Sequence, residues 1–234
     1  MKKKKIKKVI SFDDVGPFSQ KNYIVINSIS FFKKKITSSK NKKIFQGAKY
    51  ILLNEKYLKK KTKIKNKKDE LSVLVCTGGA DYKNLLYKIS NFLSYFNNLT
   101  IYVVIGTAVK KNNPIHKLNK KNIVILKNKN TLIKFFNKVH FSIVTGGITM
   151  FESLATNTTT LVYQSYFHQS YAINYLNKMN NVITIGKEKK LFKSKLKKTI
   201  NKLMRQKKIT RDKNNNYIDA KGILRTKKIL FNFL

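Results

Sequence analysis

The chain has 234 residues, 42% hydrophobic and 12% aromatic, which is enough apolar material for one large domain or two small ones and excludes a disordered tail. Lys and Arg number 51 against 10 acids, a formal charge of +41 that would ordinarily indicate a polyanionic partner. Only three of the 51 are arginines (Arg205, Arg211, Arg225), leaving 48 lysines, whereas phosphate-gripping sites favour arginine's planar fork; with no Trp and two Pro this is the pattern of nucleotide bias, and much of the charge reads as background.

In chain order, the first third holds three short apolar runs, Val9–Phe12, Tyr23–Ile26 and Tyr50–Leu53, each bounded as buried strands are. The segment before Asp13 is too short for a signal-peptide core. The stretches between these runs cannot supply a full layer of helices, so residues 1–66 read as the end of an N-terminal Rossmann-like domain plus a linker. Across that boundary Lys59–Glu70 is highly charged without apolar periodicity and reads as a solvated connection.

Residues 67–234 read as one domain. Leu71–Cys76 is a strand candidate, followed by Thr77-Gly78-Gly79-Ala80-Asp81 and an amphipathic helix marked by Leu85, Leu86, Ile89, Phe92, Leu93 and Phe96. Further strands are predicted at Ile101–Ile105, Ile123–Leu126, Phe141–Val144, Thr160–Tyr163 and Val182–Ile185. Helices are predicted at Leu132–Lys138, Thr149–Ala155, Tyr171–Met179 and Leu191–Met204. Apolar strands alternating with helical crossovers imply an α/β fold, a Rossmann-like open parallel sheet with helices on both faces. The longest uncharged apolar stretch, Leu99–Val109, is well below the roughly 20 residues that span a bilayer. The lone Cys76 excludes an intramolecular disulfide and no Cys/His set has zinc-ligand spacing, so no metal or cofactor is expected, and a soluble, cytoplasmic protein is.

In such sheets ligands sit beyond the carboxyl ends of the strands. The Gly78-Gly79 loop lets backbone amides approach a ligand, or is simply a tight turn with Asp81 as the helix N-cap. The second loop, Thr145-Gly146-Gly147-Ile148-Thr149-Met150-Phe151-Glu152, is more specific. Thr149 can cap, and Glu152 falls about one turn into the helix, where a carboxylate can accept hydrogen bonds from a ribose diol while helix-start amides face a diphosphate. A purely structural capping box of Thr149 with Glu152 is the alternative. After the next strand, Gln169 could bond a sugar or phosphate, and His168 is the best placed of three histidines; His116 and His140 look solvated or structural. Asp13-Asp14 either faces the same cleft or makes a turn.

The run Gly146 to Glu152, with Leu154-Ala155, the Thr160–Tyr163 strand, His168-Gln169 and Ala172, resembles the nucleotide-sugar signature in the C-terminal domain of GT-B glycosyltransferases akin to the peptidoglycan GlcNAc transferase. The wider layout resembles a relative of that family, the UDP-sugar hydrolase of pseudaminic acid biosynthesis and the similar spore-coat polysaccharide proteins. It is carried by Ser11-Phe12-Asp13-Asp14, Ile26-Asn27, Gly47 to Leu53, Gly78 to Leu85, and Ile218-Asp219-Ala220-Lys221-Gly222 with Arg225. The resemblance implies that Gly146, Gly147, Ile148 and Thr149 surround the diphosphate and Glu152 holds the ribose. Gly78, Gly79 and Gln169 then border the donor sugar or phosphates. It also implies that a full N-terminal domain with a glycine loop and a histidine faces this one, and no such loop precedes residue 70.

The leading expectation is therefore a UDP-sugar-binding half of a GT-B cleft, hydrolysing or transferring from a UDP-sugar in surface polysaccharide or sialic-acid-like sugar synthesis, with a separate N-terminal-domain subunit as partner. A second is a catalytically inactive or degenerate binding protein of the same fold, suggested by Asn157 and Ala220 standing where the family usually has glycine. A third is non-specific nucleic-acid binding, against which stand the dispersed lysines and the lack of a recognition module; peripheral contact with an anionic membrane is a further expected use of the charge.

Overall fold

The computed structural model describes residues 9–13, 23–29, 42–58, 70–81, 84–187, 192–206 and 218–233. The chain forms two compact units, Met1–Leu58 with Asn216–Leu234, and Lys59–Asn215. This division differs from the expected one at residues 66 and 67, because the C-terminal segment belongs with the N-terminal one.

In the first unit β1 (Val9–Phe12), β2 (Tyr23–Asn27) and β3 (Lys42–Gln46) pair in parallel in the order β1-β2-β3. Helix α6 (Gly222–Phe231) contributes Ile229 to a small core with Ile24 and Ile26. Its first residue needs to be glycine, since a Cβ at Gly222 would stand 2.1 Å from the Ile51 carbonyl oxygen. Arg225 then clamps the junction: its guanidinium donates to both oxygens of Asp219, at 2.8 and 2.5 Å, and to the Lys49 carbonyl at 2.8 Å. The Tyr50–Leu53 strand expected from sequence is not formed. Tyr50 and Ile51 N–H groups donate back to Gly47 and Ala48 in a 3-10 turn, and the buried Ile51 and Leu53 alternate with exposed Leu52 without a neighbouring strand among the described residues. Asp13 takes the turn role, accepting from Ser28 N–H, Ile29 N–H and Ser28 Oγ at 2.7, 2.7 and 2.9 Å. Asp14 and the Lys59–Asp69 part of the expected linker lie outside the described residues.

The second unit is a six-stranded, wholly parallel sheet of β4 (Leu71–Cys76), β5 (Leu99–Val104), β6 (Ile123–Leu126), β7 (Phe141–Thr145), β8 (Thr159–Gln164) and β9 (Val182–Lys187). Its order is β6-β5-β4-β7-β8-β9. The chain thus winds outward from β4 on one side and from β7 on the other, and helices cover both faces of the sheet. One face is apolar. Val73, Val75, Ile101, Val103, Phe141 and Ile143 pack with the buried stripe Leu85, Leu86, Ile89 and Leu93 of α1 (Leu85–Leu93). Leu196, Ile200 and Leu203 of α5 (Phe192–Arg205) join the same core. Each such residue contributes about 1.5–3 kcal/mol of transfer free energy, so this face anchors the sheet.

The other face carries α2 (Ile133–Phe136), α3 (Ile148–Ala155) and, beside β8, α4 (Gln169–Leu176). Buried hydroxyls there satisfy one another: Ser153 Oγ lies 2.7 Å from Ser142 Oγ and 2.8 Å from Thr160 Oγ1. Helix α3 ends in a left-handed Asn157 (φ 55°), whose N–H donates to Leu154 while Thr158 N–H donates to Ser153, a Schellman closure. No helix among the described residues is long and apolar enough to cross a membrane.

Candidate functional site

The order reversal between β4 and β7 places the two glycine loops side by side at the carboxyl edge of the second unit. A cleft of about 560 Å³ opens there, lined by the ends of β4, β5 and β7 and by the segments that follow β4 to β8. Of the residues expected at the site, Gly78, Gly79, Gly147, Ile148, Thr149, Glu152 and Gln169 all line it.

The first loop is held from three directions through Asp81, which is 6% exposed and sits at φ 45°. Its Oδ1 accepts from Thr77 Oγ1 and from Leu86 N–H at 2.9 Å each, and its Oδ2 accepts from Asn113 Nδ2 at 3.0 Å. Asp81 thus bonds the first turn of α1 without being its N-cap residue, which is Asn84. Asn113 also donates to Asn84 Oδ1, so the β5–β6 connection is tied to the glycine loop. Gly106 completes the lock. It packs flat on the carbonyls of Gly78 and Gly79, and Ala108 N–H donates to Gly79 at 3.0 Å.

The second loop differs from expectation in one respect. Helix α3 begins at Ile148 with Gly147 as its N-cap, so Thr149 lies inside the first turn, and no side chain caps the end. The capping-box alternative is therefore not what Thr149 and Glu152 form: the chain turns at the glycines two residues earlier, and Thr149 Oγ1 faces Cys76 Sγ at 4.0 Å. The uncapped helix start, the residues Gly147, Ile148 and Thr149, opens on the cleft, where its positive end favours an anion. Glu152, half-buried, lines the same wall. Beneath it the Cys76 thiol is pushed up, first by burial and further by the charges of Glu152 and Asp81, so it stays protonated and inert.

Gly146 and His168 are not among the lining residues. Gly146 is a packing glycine, since a Cβ there would meet Ile173 Cδ1 at 2.8 Å and Gln169 Cβ at 2.9 Å, and it lets α4 close on the loop. His168 is exposed and stacks on Tyr166, ring centroids 5.7 Å apart and planes 11° apart, while Tyr166 itself reaches the cleft. Gln169 is buried and spends its Oε1 on the N–H groups of Ser165 (2.9 Å) and Tyr166 (3.3 Å), which shapes the loop after β8. His140 is structural, its Nδ1 bonding Ser72 N–H at 3.0 Å, and the exposed His116 lies against the Lys110 carbonyl.

Gly106, Thr107 and the Asn128–Leu132 loop also form the cleft wall, beyond the residues expected from sequence. Their signal was position, since each follows a strand at the same edge. Cys76, Asp81, Lys129, Glu152 and Tyr166 are the ionisable side chains among the lining residues. Among the described residues no cluster of three or more His, Cys, Asp and Glu could hold a metal ion.

No protein-family model matches the chain. The spore coat polysaccharide biosynthesis protein SpsG of Bacillus subtilis is 23% identical over 170 residues, covering 70% of this chain and 50% of SpsG. Among solved structures, WaaG, a glycosyltransferase involved in lipopolysaccharide biosynthesis, superposes with a TM-score of 0.56 at 13% identity, over 90% of this chain and 63% of WaaG. MurG of Acinetobacter baumannii gives a TM-score of 0.55 at 13% identity, over 90% of this chain and 59% of MurG. The chain spans about half the length of the curated relative it matches. Its fold is that of a GT-B-like protein, two α/β units with the cleft of the larger one at the sheet's order reversal.

Proposed function

We propose that the cleft binds a nucleotide-sugar, specifically a UDP-sugar, in polysaccharide or sialic-acid-like sugar biosynthesis. The observation that carries this reading is the uncapped start of α3 beside Glu152, at the point where the sheet order reverses. Amides of Ile148 and Thr149 take the diphosphate, and the Glu152 carboxylate takes the ribose diol. Glu152 lines the cleft together with Cys76 at the end of β4, which favours a ribose on the β4 side of α3. The base then runs toward Val104, Ile105 and Leu132, with Asn128, Asn130 and Thr131 at its polar edges, and the sugar runs toward Ser165 to Gln169. Five adjacent strands at ~4.8 Å spacing give the cleft about 19 Å of width, enough for an extended ligand of this kind.

Chemistry needs a base or acid at the anomeric carbon. Asp81 has both oxygens engaged, Cys76 is held protonated, and no histidine is among the lining residues, which favours a binding half that works with a second domain facing it. Such a partner supplies the general base or acceptor, and the diphosphate leaves with the bond electrons while water or a hydroxyl takes the anomeric carbon. Calorimetric titration at physiological salt tests the reading: UDP should bind more tightly than UMP, and UMP more tightly than uridine. Absence of UDP binding would overturn it, and turnover of a UDP-sugar by this chain alone would remove the need for a second domain.

A further inference from the structure

Helix α5 carries six cations in 14 residues, Lys193, Lys195, Lys197, Lys198, Lys202 and Arg205, against 51 in 234 for the whole chain. Its density is thus about twice the background, and it contains no acid. Lys195, Lys198, Lys202 and Arg205 recur at spacings of three, four and three, so all four lie on one face. That face is opposite the stripe of Leu196, Ile200 and Leu203, which is buried in the core. All four cations are exposed, and none forms an ion pair among the described residues.

We infer that this face of α5 docks on an anionic lipid surface by charge alone. The apolar side of the helix is already committed to the sheet, so α5 cannot lie in the acyl boundary as an amphipathic anchor does. What remains outside is a row of point charges. Lysine suits a diffuse layer of headgroups, whereas bidentate recognition of individual phosphates or carboxylates calls for arginine, and here only Arg205 is one. The row carries no aromatic ring on which a base could stack, which disfavours single-stranded nucleic acid. Each cation near an anionic surface strengthens association about fivefold. This inference is independent of what the cleft binds.

The test is co-sedimentation of the full chain with phosphatidylcholine vesicles, with and without phosphatidylglycerol, at physiological salt. The wild type should pellet only with the anionic vesicles and be released by high salt. The variant Lys195→Gln/Lys198→Gln/Lys202→Gln/Arg205→Gln should lose at least about tenfold in affinity. A control of equal charge loss on another exposed region, Lys110→Gln/Lys111→Gln/Lys117→Gln/Lys121→Gln, should lose under about threefold. Equal losses in the two variants, binding to neutral vesicles, or no vesicle binding alongside duplex DNA binding that the α5 variant abolishes would each overturn the inference.

Discussion

Gly106 lies against Gly79 so closely that a Cβ on Gly106 would stand 2.4 Å from the Gly79 carbonyl oxygen. The same Cβ would meet the Gly78 carbonyl at 2.5 Å, so the loop after β5 sets the shape of the loop after β4 by backbone contact. Both loops line the cleft, and neither can shift without the other.

Gly106→Ala should therefore destabilise the second unit by about 1–3 kcal/mol, because backbone atoms and not a flexible side chain must move. Urea unfolding should show a lower midpoint with an unchanged slope. Gly147→Ala is the contrast: no atom lies within 4 Å of its Cβ position and its φ is −98°, so stability should change by less than about 0.5 kcal/mol.

Ala220 sits at φ 60° and is 3% exposed, a backbone conformation that costs an L-residue roughly 1–2 kcal/mol. Ala220→Gly should stabilise the first unit by about 1 kcal/mol, seen as a rise in thermal midpoint of a few degrees. Asn157 occupies the same region at φ 55° but as an asparagine closing a helix, so Asn157→Gly should gain much less.

The hydrogen bonds of Arg225 hold the Asp219 carboxyl below the usual carboxylate range. A depressed folded-state pKa means the stabilisation is complete above the unfolded value of about 3.9 and disappears as pH falls through the folded value. Because the pair is about one-third exposed, with side chains 33% and 30% accessible, it contributes no more than about 1 kcal/mol. Asp219→Asn should be less stable than wild type at neutral pH, and the two should converge as pH drops below about 4. A difference that does not shrink as pH falls would assign the effect to packing and not to charge.

The second unit was largely legible because its central strands are mostly buried on both faces and read as mainly apolar runs: Leu71–Cys76 and Phe141–Thr145 needed no alternation to be seen. Strand β3 was not, since Lys42-Lys43-Ile44-Phe45-Gln46 lies at a sheet edge where charge is tolerated. Tyr50–Leu53 had the apolar content of a strand, but a strand is defined by its neighbour, and none among the described residues pairs with it. Helix α6 was overlooked because Ile229 alone is the large apolar residue it buries, and its docking rests on Gly222 and Arg225, groups that periodicity does not register. At the site, glycine pairs and one acid beside them were visible, whereas Gly106 was not, because its role depends on which strands are neighbours.

Comparison of UDP with 2′,3′-dideoxy-UDP on wild type and Glu152→Gln tests most directly whether that carboxylate holds a ribose diol. Charge-assisted hydrogen bonds contribute about 1.5–3 kcal/mol each, so the substitution should weaken UDP about tenfold or more and leave the dideoxy ligand within about twofold. Equal weakening of both ligands, or none of either, would contradict the account.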